Sequence, residues 1–156
     1  MLASLSSTYT DLVTAVFSET IAAKAWLATA AGFLALLQIT TAARIFGKLQ
    51  GVVRLPHETV KRIHRWSGRL VFLFTLPVIF HCVFILGFQT TDARVTAHSI
   101  AGSFVYGVFA VKVFFVHDRA HPRWTLPLVG GTLFATLATL WVTSAYWYFT
   151  EVRFGF

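Results

Sequence analysis

Residues 59–87 decide the fold and read TVKRIHRWSGRLVFLFTLPVIFHCVFILG. From Leu70 onward this run contains no Asp, Glu, Lys or Arg. An apolar run of about 20 residues is long enough to cross the hydrocarbon core of a bilayer as a helix. Three further apolar segments cover about 21–46, 94–117 and 126–149. The sequence therefore predicts four membrane-spanning helices.

The composition also places the chain in a membrane. Of its 156 residues, 56% are apolar and 12% are charged, with a mean hydropathy of +0.70, whereas soluble domains carry about 25% charged residues. Four spans with short connections leave no room for a large extramembrane catalytic module. We predict an all-α integral membrane four-helix bundle. Residues 1–156 form one transmembrane domain in this prediction, and residues 1–20, which lack the basic region of a signal peptide, form a short interfacial segment.

Several classes of catalytic site are excluded by the residues available. Cys82 is the only cysteine, so a single chain can form neither an internal disulfide nor a multi-cysteine zinc or iron–sulfur site. Only Asp92 and Asp118 adjoin the inner spans, and both are predicted to lie in loops. No Ser-His-Asp, paired-carboxylate or phosphate-loop site can be assembled, and we assign no catalytic residue. An enzymatic activity, if there is one, would be an oxidoreductase activity.

The basic residues predict the orientation. The chain has 13 Lys and Arg against 6 Asp and Glu, a net charge of +7. Ten of the 13 lie in or beside residues 47–63 and 117–125. By the positive-inside rule these two connections are cytoplasmic and both termini lie outside, in a bacterial cytoplasmic membrane. We therefore expect these cations to face the lipid bilayer and the cytoplasm. We expect no nucleic acid as a partner.

Histidines occur at matched depths in the second and third spans. A short turn joins these two spans, so they run antiparallel and bring His81 and His98 to a similar depth. His64 and His117 meet at the opposite end, because 17 and 19 residues of helix rise about 25 and 28 Å. Ionisable residues inside a membrane are costly and usually functional. The remaining two histidines are predicted to lie at the surface: His57 and His121.

Two of these histidines begin the same short pattern, H-x-x-x-G. It occurs as His64-Arg-Trp-Ser-Gly68 and as His98-Ser-Ile-Ala-Gly102. Two imidazoles on neighbouring helices at one depth provide the axial ligation that a haem iron requires. A glycine one turn away leaves room for the porphyrin edge. The alternative for each histidine is an interhelical hydrogen bond.

From this pattern we predict His81 and His98 as ligands of one haem b near the outer face. A second haem b, held by His64 with His117 as its partner, is a further possibility. Pro77 lies one turn before His81, frees the carbonyl of Leu73 and predicts a kink.

Two cations accompany the histidines. Lys112 lies 14 residues after His98 and therefore returns to almost the same face of its helix. Arg69 follows His64 by five residues. Either side chain can snorkel to the headgroups, or can pair with haem propionates or the head group of a quinone. Lys112 could also replace His117 as the partner of His64.

The two H-x-x-x-G segments and His81 resemble the haem-ligating segments of transmembrane b-type cytochromes, including the ascorbate-reducible and ferric-reductase-like electron carriers. The chain from His64 to Phe149 more closely resembles a bacterial family of small four-span membrane proteins of unassigned function. The segments that carry this second resemblance are Leu76-Pro77-Val78-Ile79-Phe80-His81-Cys82, Val95-Thr96-Ala97-His98-Ser99, Tyr106-Gly107 and Leu126-Pro127-Leu128-Val129-Gly130-Gly131. Unlike the larger cytochromes, this chain has four spans and two ligand-bearing helices, which leaves one haem or two open.

The leading hypothesis is a membrane haem b electron carrier between a periplasmic-side partner or substrate and a quinone or cytoplasmic-side partner. The second hypothesis is a cofactor-free accessory subunit of a larger membrane complex, such as a respiratory complex, with histidines that hydrogen-bond between helices. The third is an ion or proton path through Gln38, His81, Lys112 and Arg69.

Overall fold

The computed structural model describes residues 2–15, 19–118 and 120–153. Five α-helices follow one another in this part of the chain, which contains no β-strand: α1 (Leu2–Thr14), α2 (Thr20–Ile45), α3 (His57–Phe80), α4 (Ala93–His117) and α5 (Thr125–Trp141). Two of them continue as π-helix: α3 through His81–Leu86, and α5 through Val142–Tyr146 and Tyr148–Arg153. The all-α class predicted from the sequence is confirmed.

Four of these helical segments are long and apolar enough to cross a bilayer. They cover Thr20–Ile45, His57–Leu86, Ala93–His117 and Thr125–Val152, and contain 26, 30, 25 and 28 residues. At about 1.5 Å of rise per residue, each exceeds the roughly 30 Å of a hydrocarbon core. The protein is therefore a multi-pass membrane protein, and the four predicted spans agree with these bounds to within three residues.

The turn between α3 and α4 is defined by its end residues. Gly87 has a φ of +70°, a backbone conformation that glycine adopts without steric cost, and it ends the π-helical extension of α3. Asp92 then caps α4, because its carboxylate accepts a hydrogen bond of 2.9 Å from the backbone N–H of Val95. This hydrogen bond lowers the pKa of Asp92. The chain thus reverses direction within residues 87–92, as the sequence predicts.

Helix α2 is the central helix of the bundle. It packs along α3 on one side and α5 on the other, and α4 packs along α5. Its buried residues are mostly alanines: Ala22, Ala23, Ala25, Ala31 and Ala35. Small residues let helix backbones approach closely in membranes. Helices α3 and α4, although joined by a short turn, are not in close backbone contact.

Large apolar side chains cover the outside of the bundle. Phe33, Phe84 and Phe104 are 69%, 63% and 62% exposed. Exposed apolar area of this extent is rare on soluble monomers and marks contact with an apolar partner. On four membrane-spanning helices, that partner is the lipid.

The two ends of the bundle differ in charge. One end carries α1, the connection 87–92 and the end of α5, and we call the adjoining half of the bundle the α1 half. The other end carries the connection between α2 and α3 and the connection between α4 and α5, where the basic residues concentrate. We call that half the basic half. Arg44 fixes its first connection by donating a hydrogen bond of 2.9 Å to the carbonyl oxygen of Val53.

Helix α1 forms most of the predicted interfacial segment 1–20, of which residues 1 and 16–18 lie outside the described part. It contacts α2 and the end of α3. Its Tyr9 hydroxyl donates a hydrogen bond of 3.4 Å to the carbonyl oxygen of Pro77, and its ring packs 5.1 Å from the ring of Phe80. Helix α1 therefore covers α3 at the point where α-helix changes to π-helix.

Candidate functional site

A chamber lies in the α1 half of the bundle, where α3 and α4 stand apart. It consists of two adjoining cavities of about 310 and 300 Å³, which is within the size range of ligand pockets. The two cavities share five lining residues: Cys82, Gly87, His98, Ser99 and Ser144. One of the predicted haem ligands, His98, is thus on the common wall.

Small and apolar residues line the deeper cavity. Helix α2 contributes Ala28, Ala31 and Gly32, and α4 contributes Gly102. A Cβ atom at Gly32 would lie 3.4 Å from the Trp141 ring, and one at Gly102 would lie 3.8 Å from a methyl group of Leu140. Larger residues at these positions would therefore reduce the chamber. Gly102 lines the cavity next to His98, where the H-x-x-x-G pattern predicts open space.

The neighbours of His98 fix its tautomer. Its Nδ1 lies 2.9 Å from the hydroxyl oxygen of Thr143, and that hydroxyl donates its own proton to the carbonyl oxygen of Thr139 at 2.6 Å. The Thr143 oxygen is therefore the acceptor and His98 Nδ1–H the donor. Nε2 keeps its lone pair and accepts a weak hydrogen bond that Cys82 Sγ–H donates across 3.9 Å. This arrangement is typical of metal-ligating histidines, which donate their other ring N–H to a fixed oxygen.

Two cations line the mouth of the chamber. Lys24 and Arg94 both line the outer cavity, and both lie within electrostatic range of His98. The Arg94 guanidinium donates a hydrogen bond of 2.8 Å to the carbonyl oxygen of Thr143 and lies 4.1 Å from the centroid of the Trp147 ring. The sequence had instead suggested Lys112 and Arg69 as the cations that pair with haem propionates or a quinone head group. The available signal was that Lys24 and Arg94 lie near the ends of two spans on the same side.

His81 is at the depth of His98 but faces another neighbour. The contact between Cys82 and His98 places positions 81 and 98 at one level, as predicted. His81 itself is only 5% exposed and lies under the Tyr9 ring at 5.9 Å, and it is not among the lining residues of either cavity. Burial, with a smaller contribution from Cys82, raises the pKa of Tyr9.

His81 also has a buried nitrogen without a partner. Its Nδ1 makes no hydrogen bond to any residue that the structure describes. Buried polar atoms are nearly always satisfied, and an exception in a native fold calls for an explanation. A nitrogen that participates in ligand binding would provide one.

A second histidine site lies in the basic half. Nδ1 of His64 is 2.9 Å from the Thr41 hydroxyl, which donates to the carbonyl oxygen of Leu37 at 2.7 Å. Gln38 Nε2 donates to the carbonyl oxygen of His64 and, at 2.7 Å, to the Ser67 hydroxyl. The Gln38 side-chain oxygen would lie 3.2 Å from a Cβ atom at Gly68. The space predicted for a porphyrin edge at Gly68 is therefore occupied by an amide.

The other residues predicted for this end are not all brought together. Lys112 is half-buried and within electrostatic range of His64. His117 is exposed, and its Nδ1 donates to the carbonyl oxygen of Val113 in its own helix at 2.9 Å. Arg69 is exposed, with its guanidinium 4.8 Å from the centroid of the Trp66 ring. Lys112 is thus within electrostatic range of His64, whereas His117 bonds to its own helix.

The two histidines predicted at the surface differ. His57 is exposed, as predicted. His121 is half-buried, and its ring packs 5.2 Å from the Phe115 ring. The residues of the third hypothesis are also spread out: Gln38 and Lys112 lie in the basic half, His81 lies in the α1 half and Arg69 faces outward. They do not form one continuous path.

Within the described ranges, no group of three or more His, Cys, Asp and Glu side chains is placed to hold a metal ion. A haem iron makes a smaller demand on the protein, because the porphyrin supplies four of its ligands and the chain supplies only the axial ones.

Fold and site together define a multi-pass four-helix membrane protein with a histidine on the wall of an interhelical chamber. The chain belongs to a family of unknown function (DUF6529), whose model matches residues 3–156. No curated protein and no solved structure matches the chain. The family description assigns no activity, so the resemblance to b-type cytochromes stays a prediction.

Proposed function

We propose that the protein is a membrane electron carrier that holds a haem b in the chamber of the α1 half. The observation that carries this proposal is the state of His98. Thr143 holds its Nδ1–H, which leaves Nε2 as an acceptor with the weak thiol donor of Cys82 at 3.9 Å, and His98 lies on the wall of a chamber between two helices. A neutral imidazole oriented in this way is what axial ligation of haem iron requires.

His81 is at the same depth on the facing helix, but its ring lies against Tyr9 and outside the chamber lining, so it would bind the iron only after turning inward. Two other features of the chamber suit a porphyrin. Small apolar residues line the deep cavity, where they would exclude water from the ring. Lys24 and Arg94 stand at the mouth, where they would hold the two propionate groups as charge-assisted pairs.

The bound iron would supply reversible one-electron chemistry, and the chain would set its surroundings. Thr143 would keep the His98 ring in one orientation and one tautomer. The apolar walls would provide a low dielectric around the iron, which is one of the protein's means of setting a reduction potential.

We place the protein in a bacterial cytoplasmic membrane with its basic end in the cytoplasm, because short loops rich in Lys and Arg stay on that side. Both termini then lie outside. The haem would lie towards the outer face and exchange electrons with a periplasmic-side partner or substrate. A quinone or a cytoplasmic-side partner would be the other electron-exchange partner.

The test is the absorption spectrum of the purified protein. Reduced-minus-oxidised spectra should show a low-spin haem b, and His98→Ala and His81→Ala should each abolish that signal. His57→Ala is the matched control, since His57 is exposed, and it should keep the signal. A wild-type protein without haem, or unchanged spectra in both chamber variants, would refute the proposal.

A second candidate is a cofactor-free accessory subunit of a larger membrane complex. The hydrogen bonds His98–Thr143 and His64–Thr41 favour it, because interhelical hydrogen bonds of this kind stabilise membrane bundles by about 1 kcal/mol each. The same experiment separates the two functions. A haem-free wild-type protein that loses thermal stability in His98→Ala would support the accessory subunit.

A further inference from the structure

The two halves of the bundle have the same local design in opposite orientations. A shift of 34 residues carries His64 to His98 and Gly68 to Gly102. A shift of 102 residues carries Thr41 of α2 to Thr143 of α5. Helices α2 and α3 therefore correspond to α5 and α4. Corresponding residues lie at opposite ends of the bundle. The order of the helices along the chain is not preserved, so the relation is an approximate two-fold symmetry of local structure and not a repeat of sequence.

The hydrogen bonds follow this correspondence. In each half, histidine Nδ1 is 2.9 Å from a threonine hydroxyl of the neighbouring helix. Each threonine donates to the carbonyl oxygen four residues before it, at 2.7 Å for Thr41 and 2.6 Å for Thr143. In each half, the glycine also faces the side chain three residues before that threonine, Gln38 or Leu140.

The contacts between α3 and α4 follow it as well. The shift of 34 residues relates Phe72 to Tyr106 and Thr75 to Phe109. Tyr106 donates a hydrogen bond of 2.9 Å to Thr75, and Phe72 stacks on Phe109 at 4.9 Å, so each contact is the counterpart of the other. Phe72 and Tyr106 also touch one another, with ring centroids 5.8 Å apart. An approximate two-fold axis in the membrane plane thus passes between them.

The halves differ at the residues that line the chamber. The counterparts of Ala31 and Gly32 are Leu133 and Phe134, which are much larger. The counterpart of Val78 is Lys112.

The clearest difference is at Leu140. A Cβ atom at Gly68 would lie 3.2 Å from the side-chain oxygen of the counterpart Gln38, whereas a Cβ atom at Gly102 would lie 3.8 Å from the nearest Leu140 methyl group. The counterpart positions in the basic half thus carry bulkier or polar residues, and the Gln38 amide lies against Gly68.

We infer that only the α1 half of this pseudo-symmetric bundle has a haem chamber, and that Gln38 and its neighbours prevent His64 from taking a second haem. This inference rests on the proposed haem in the α1 half. It replaces the expectation of a second haem between His64 and His117. His64 keeps the structural part of the design, its hydrogen bond to Thr41, without the ligand-binding part.

Haem content per chain tests the inference on the purified full-length protein. We expect one haem per chain, full retention in His64→Ala and loss in His98→Ala. Two haems per chain, or a loss in His64→Ala of half the haem, would overturn the inference and leave the proposed function intact. A protein with no haem would overturn both.

Exchange of the counterpart residues gives a second readout. Leu140→Gln introduces into the chamber the amide of the basic half, and we expect its haem affinity to fall about tenfold, because an amide would be buried without a partner there. Gln38→Leu is the matched control and should bind one haem with unchanged affinity. Wild-type haem affinity in Leu140→Gln would contradict the inference that residues 38 and 140 determine which half of the bundle binds haem.

Discussion

Thr143→Val tests the orientation of the proposed haem ligand. The substitution removes the oxygen that accepts the hydrogen bond from His98 Nδ1–H at 2.9 Å, and valine has nearly the volume of threonine. Without this acceptor the imidazole can rotate, or can place its proton on Nε2, where it blocks ligation. Loss of such an outer hydrogen bond costs about 10- to 100-fold in metal affinity, or about 1.4–2.7 kcal/mol.

The assay is titration of the haem-free protein with haem, followed by absorbance. The dissociation constant of Thr143→Val should rise 10- to 100-fold, while Thr143→Ser, which keeps the hydroxyl, should stay near the wild-type value. Thr41→Val is the matched control, because it removes the equivalent hydrogen bond from His64 in the basic half. It should leave haem binding unchanged. Wild-type affinity in Thr143→Val would refute the role of this hydrogen bond.

Three further predictions concern the chamber, the turn before α4 and the topology. Gly102→Leu should fill the chamber and abolish the haem spectrum, whereas Gly107→Leu should keep it, since no side chain lies within 4 Å of that position. Asp92→Ala should lower the melting temperature by removing the cap of α4. The pKa of Asp92 is lowered in the fold. The cap therefore stabilises the protein fully above the ordinary carboxyl pKa, and this stabilisation is lost as pH falls through the lowered pKa. Equal stability of wild type and variant at neutral pH would contradict this prediction. A single cysteine placed within residues 48–56 should react with an impermeant reagent only from the cytoplasmic side, and labelling of intact cells from outside would overturn the topology.

The sequence predicts the fold well because the fold depends on the lengths of the apolar segments. Each span is an uncharged or nearly uncharged run whose ends carry Lys, Arg, Gly or Pro, so its bounds are visible without knowledge of its neighbours. The depth of His81 relative to His98 is predictable for the same reason, since a short turn and a fixed rise per residue determine it.

The direction in which each side chain points was not predictable in the same way. Helical phase cannot be extended through His81–Leu86, because a π-helix has more residues per turn than an α-helix. His81 faces Tyr9 of α1, a contact between helices that no spacing within α3 predicts, and Cys82 faces His98. The threonines that hold the two histidines lie on helices far apart in sequence from their partners. No spacing rule connects positions 41 and 64, or 98 and 143.

The chamber exists because large side chains hold α3 and α4 apart at the middle of the bundle. There the two helices meet through stacked rings, Phe72 on Phe109 at 4.9 Å, whereas α2 approaches its neighbours through alanines. The distance between packed helices depends on the side chains at their contact, so aromatic residues at this level separate the backbones above and below it. In the α1 half small residues such as Gly102 leave that separation open, whereas in the basic half the Gln38 side chain lies against Gly68. The haem chamber that we propose therefore depends on Phe72 and Phe109, although neither of them lines it.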